Sequence, residues 1–65
     1  MRGKRSKLIE SCLVRLEQIY IFIESLEAEE LNASDKAQLI SIRNYAIGIV
    51  NEINKLLGKM NGLVR

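Results

Sequence analysis

The sequence predicts an all-α fold: an antiparallel helical hairpin that dimerises into a four-helix bundle. Three observations lead there. Apolar residues recur at heptad spacing in two separate segments. A short polar break parts those segments, and no proline interrupts either one. More apolar side chains are present than one hairpin seam can cover.

The first segment contains Ile9, Cys12, Leu16, Ile19, Ile23 and Leu26. Steps of three and four alternate through this set, which is the a/d stripe of a helix presenting one face to a partner. Ser6 is the predicted N-cap, and the predicted helix runs over about 6–31. The stretch "LNASDKAQ" then parts the two helices. Asn32 suits the end of the first helix. Ser34 is the predicted cap of the second, with Asp35 in its positively polarised first turn. The predicted turn is 32–34. The second stripe contains Leu39, Ile42, Ala46, Ile49, Ile53, Leu56, Met60 and Leu63, and the predicted helix covers about 35–60. Gly58 and the "NG" at 61 and 62 read as its terminator. Residues 1–5 and 61–65 are the expected flexible tails of a single domain covering 1–65. Gly48, inside the second helix, costs about 1 kcal/mol relative to Ala. The close approach of another backbone would account for it.

A break of a few residues folds two helices back on each other. Facing residues of an antiparallel pair then share one constant sum of residue numbers. Leu26 with Leu39, Ile23 with Ile42, Ile19 with Ala46, Leu16 with Ile49, Cys12 with Ile53, and Ile9 with Leu56 all obey it. Tyr20 and Tyr45 fall in one layer at the seam edge, where a ring packs and its hydroxyl reaches water.

The run "IYIFI" at 19–23 places apolar residues all round a helix, because each residue advances about 100°. The seam takes Ile19 and Ile23. Ile21 and Phe22 are left over, together with Val14, and Ile40 and Ile47 are left over on the second helix. These five are the predicted dimer interface. Burying them contributes about 1.5–3 kcal/mol each, of order 10 kcal/mol per chain as an upper bound.

Composition excludes several function classes. The chain has 65 residues, one cysteine and no histidine. An internal disulfide and a zinc site of ordinary ligands are therefore both absent. At 48% hydrophobic, the chain is too apolar for a disordered segment, yet short enough to need oligomerisation for stability. Glu10, Arg15 and Glu17 break the first apolar stretch, so neither a signal peptide nor a membrane span is expected there. A soluble cytoplasmic protein is the expectation. Catalysis lacks the side chain that titrates near neutral pH, and neither Ser11 nor Cys12 has an evident base. Glu24, Glu27, Glu29 and Glu30 read as a solvated acidic end, and Cys12 as a packed thiol. No catalytic, cofactor-binding or metal-ligating residue is assigned, and no cofactor is expected.

Charge is segregated along the chain. Arg2, Lys4, Arg5 and Lys7 open the first helix, and Lys55 and Lys59 close the second. Glu24, Glu27, Glu29, Glu30 and Asp35 gather near the turn. The acids at the end of the first helix oppose its macrodipole, so helix stability does not account for the pattern. Two hairpins docked antiparallel would bring basic and acidic ends together.

The expected function is that of a non-enzymatic protein–protein interaction module: a small adaptor, inhibitor or regulator acting as a homodimeric bundle. Arg15, Glu24, Glu27 and Arg43 are candidate contacts to a protein partner. A second reading is a small nucleic-acid-binding regulator using Arg2, Lys4, Arg5, Lys7, Lys55 and Lys59 on phosphates. No aromatic residue accompanies this set to stack on bases. A third reading is a chaperone-like subunit of a hetero-oligomer, whose spare apolar stripe meets a different chain.

Overall fold

The computed structural model describes the backbone of residues 2–63 and the side chains of residues 3–62. The described residues are all helical or loop, with no strand. Helix α1 spans Arg2–Glu24, a short 3-10 turn follows at Ala28–Glu30, and helix α2 spans Ala33–Leu63. The chain divides into two compact units, Met1–Glu30 and Leu31–Arg65.

In the first unit, α1 starts earlier than the sequence predicts. Lys4 and Arg5 are helical, not part of a flexible tail, and Ser6 lies inside the helix, where it cannot act as the N-cap. Arg2, Lys4, Arg5, Lys7 and Leu8 are good helix formers and outweigh Gly3 and Ser6, which explains the extension. The predictions that concern Met1, Val64 and Arg65 lie outside the described residues.

The helix also stops earlier, at Glu24 and not near residue 31. Ser25 closes it. Its backbone N–H is shared between the carbonyls of Ile21, at 3.2 Å, and Phe22, at 3.0 Å, and its hydroxyl donates to the Phe22 carbonyl at 2.6 Å. The Leu26 N–H then bonds the Ile23 carbonyl at 3.1 Å, a tightened last turn. Electrostatics favours stopping here. Prolonging α1 would place Glu27, Glu29 and Glu30 at the negative end of its dipole. Breaking the helix at Glu24 takes these acids out of α1.

The second unit opens with a reciprocal clasp. Asn32 Oδ1 accepts from the Asp35 N–H at 2.8 Å, and the Asn32 N–H donates to Asp35 Oδ2 at 3.2 Å. The Asn32 carbonyl accepts the first helical bond, from Lys36 at 3.0 Å. Asn32 is therefore the N-cap of α2 and Asp35 its partner three residues on, a capping box built from two short acceptors. The sequence assigned Asn32 to the end of the preceding helix and the cap to Ser34; both assignments are corrected. At the other end, Gly58, Asn61 and Gly62 are helical, and no described glycine has positive φ. A glycine permits a left-handed stop without compelling one.

Neither unit has a core of its own. Among the described residues none is buried, and only Leu26, Leu31, Asp35 and Leu39 are half-buried. A single helix cannot remove its apolar stripe from water without a partner surface.

Candidate functional site

The helix faces themselves are the candidate site. On α1, the a/d stripe of Ile9, Cys12, Leu16, Ile19 and Ile23 is widened by Leu8, Leu13 and Tyr20 on its flanks. Val14 and Ile21 stand one heptad apart on the opposite side, offset by about 20°. Phe22 is one step of about 100° further round than Ile21, so it falls between the two faces. It is 63% exposed and Ile21 65%, against 37% for Ile23 on the seam. The five residues grouped as a dimer interface therefore divide. Val14 and Ile21 share one line of α1, Phe22 borders both faces, and Ile40 and Ile47 form a line on α2, one heptad apart.

A shallow groove on α1 is lined by Lys7, Glu10, Ser11, Leu13, Val14, Arg15 and Gln18. It brings two expected contact residues, Val14 and Arg15, beside a basic and an acidic side chain. Lys4 and Lys7 share this side of the helix, whereas Arg5 is displaced toward the seam side by about 100° per residue. The basic residues at the start of α1 thus wrap round it and do not form one continuous strip. The side chain of Arg2 lies outside the described residues.

A second groove lies on α2, lined by Asn44, Tyr45, Gly48, Ile49, Glu52 and Ile53. A Cβ added at Gly48 would meet nothing within 4 Å. Among the described residues nothing therefore requires a glycine at this point. Tyr45 stands beside this notch, 78% exposed. Sequence reasoning marked Gly48 and Tyr45 separately. Their spacing of three residues was the signal that joins them, since i and i+3 are neighbours on a helix.

The remaining expected contacts are dispersed. Arg43 Nη2 reaches Asn44 Oδ1 at 3.5 Å, too long to hold the guanidinium firmly. Glu24 is the last residue of α1, and Glu27 accepts at its carbonyl from the Glu30 N–H at 3.0 Å. Lys55 Nζ lies 3.3 Å from Glu52 Oε2, with both side chains exposed. Such a pair contributes little to stability, but it offsets the positive charge at this position. Cys12 is exposed. Among the described residues no group of three or more His, Cys, Asp or Glu could hold a metal ion. No helix among them is long and apolar enough to cross a membrane.

Comparison with protein families, with curated proteins and with solved structures finds no match to this chain. Its geometry and chemistry therefore carry the functional argument.

Proposed function

We propose that the chain is a non-enzymatic interaction module that works as a homodimer: two antiparallel hairpins packed into a four-helix bundle whose surface is read by another protein. The observation that carries this reading is the exposure of most of its large apolar side chains. Ile9, Leu16, Ile19, Ile21, Phe22, Ile42, Ile47 and Ile53 are each exposed in the chain alone. Native monomers rarely leave such continuous apolar faces in water, and faces of this kind mark association surfaces. In the proposed hairpin the two a/d stripes cover each other, and the second lines of α1 and α2 meet those of another copy. The heptad register supports the pairing, since the constant sum that aligns six apolar layers also sets Arg2, the first residue of α1, beside Leu63, the last of α2.

Arg15, Glu24, Glu27 and Arg43 stay at the bundle surface and are the proposed contacts to a protein target. The basic residues offer less to nucleic acid. Lys4 and Lys7 diverge from Arg5 round α1, and Lys55 is paired with Glu52. Sedimentation equilibrium on the purified chain tests the assembly, with a mass twice the 7.4 kDa of one chain expected. A monomer that is fully helical at micromolar concentration overturns it. Retention on heparin or duplex DNA at 0.15 M salt would favour the nucleic-acid regulator instead. A chain that folds only when mixed with a different protein would favour the hetero-oligomeric subunit.

A further inference from the structure

The spare apolar lines of the two helices are edged by opposite charges. On α1, Val14 and Ile21 are exposed, and Glu10, Glu17 and Glu24 form an exposed line about 50° to one side of them. On α2, Ile40 and Ile47 are exposed, and Lys36 and Arg43 form an exposed line about 40° to the same side. The two acids of α2, Asp35 and Glu52, each lie about 130° from the isoleucine line. Resting on the dimer reading above, we propose that the Val14–Ile21 line of α1 packs antiparallel on the Ile40–Ile47 line of α2 of a second copy, with Glu17 beside Arg43 and Glu24 beside Lys36.

Sidedness selects both the partner helix and its direction. Two helices packed face to face in parallel hold their like-sided flanks on opposite sides of the contact. Turning one helix end for end brings those flanks together. The acids and the cations lie on the like side of their own apolar lines, so only the antiparallel pairing lets them meet. In that pairing Val14 faces Ile47 and Ile21 faces Ile40. Glu17 then comes within one residue, about 1.5 Å along the axis, of facing Arg43, and Glu24 likewise of facing Lys36. Glu10 falls opposite Val50, without a cation. The other flank sets Ser11 and Gln18 of α1 near Asn51 and Asn44 of α2, uncharged groups that both donate and accept. Packing α1 on α1, or α2 on α2, in the same antiparallel way would set acids on acids or cations on cations, which disfavours both. A two-fold axis repeats the contact, so the spare lines of both copies are covered. Combined with the hairpin, this sets the two turns at the same end of the bundle, the reverse of the docking that the segregated end charges alone suggest. Glu24 and Arg43 lie at the rim of the contact, which leaves Arg15 and Glu27 for a protein target.

Single cysteines at the rim read the pairing. On a Cys12→Ser background, Glu17→Cys and Arg43→Cys chains are mixed and treated with a short bis-maleimide. The mixture is expected to give a covalent dimer containing one chain of each kind, and each variant alone is expected to stay uncrosslinked. Either variant that crosslinks alone as readily as the mixture shows like helices paired and overturns the proposal. The untreated samples are weighed by light scattering. A monomeric mass means that the dimer reading has failed; a dimeric mass without the mixed crosslink means that only this pairing has failed. Charge exchange is the second measurement. Glu17→Lys should raise the dimer Kd by about two- to thirtyfold, the sum over two symmetry-related exposed pairs. Adding Arg43→Glu to the same chain should bring the Kd back. A Kd that the first substitution leaves unchanged, or that the second fails to recover, overturns the assignment of Glu17 to Arg43.

Discussion

At the scale of single residues, three positions have consequences out of proportion to their size. Asn32 starts α2 through both halves of its clasp with Asp35. Replacing it by Ala removes the acceptor for one helix-end N–H, and a loss of about 1 kcal/mol is expected from such caps. Urea denaturation of Asn32→Ala at fixed protein concentration checks this, and Ser34→Ala should be nearly silent beside it. Phe22 borders both faces of α1, so a charge there is placed in whichever interface forms. Phe22→Glu is expected to dissociate or unfold the assembly, and a wild-type mass and melting point for this variant would put Phe22 outside every interface. Gly48 has open space where a Cβ would sit. Gly48→Ala should therefore stabilise α2 by up to about 1 kcal/mol through helix propensity alone. A fall in melting temperature would instead show another backbone lying against the notch beside Tyr45.

At the scale of elements, the interior of each helix was legible in the sequence and the ends were not. Heptad spacing from Ile9 to Ile23 and from Leu39 to Leu63 located both helices, because periodicity sums over many residues. An end depends on two or three hydrogen bonds. "SLEAEE" has strong helix formers, so local preference continued α1 past its true stop at Glu24; the bond from the Ser25 hydroxyl to the Phe22 carbonyl and the unfavourable dipole overrode that preference. "NASD" contains three residues able to cap, Asn32, Ser34 and Asp35, and only their reach to the partner N–H decides among them. The candidate site was legible as a list of leftover apolar residues. Its division into separate lines needed the helix geometry, which places Phe22 about 100° from Ile21. The start of α1 at Arg2 has its own test. Deleting residues 1–5 removes helical backbone, so far-UV circular dichroism at 222 nm should fall by more than the loss of a coil tail would cause.

At the scale of the whole molecule, the two units share one deficiency: no described residue is buried in either. Secondary structure is specified by the chain, while the apolar contact that must repay its ordering entropy lies in surfaces still open to water. Isolated helices of ordinary composition are marginal in water, and most helical stability in proteins comes from packing of the apolar face. Truncating an a/d residue should therefore affect far more than its own layer. Leu16→Ala is expected to cost about 2–5 kcal/mol, as for a core leucine, although Leu16 is exposed in the single chain. A chemical-denaturation midpoint that does not move would show that this stripe stays wet.

The open apolar faces also make abundance a variable of structure. If the faces close only between copies, folding is bimolecular, and the folded fraction depends on how much chain is present. A tenfold dilution then acts like about 1.4 kcal/mol of destabilisation per dimer. Below a threshold expression level the chain would be an unassembled target for proteases, and above it a population of bundles would appear over a narrow range of dose. A melting temperature that climbs with protein concentration is the laboratory form of that threshold.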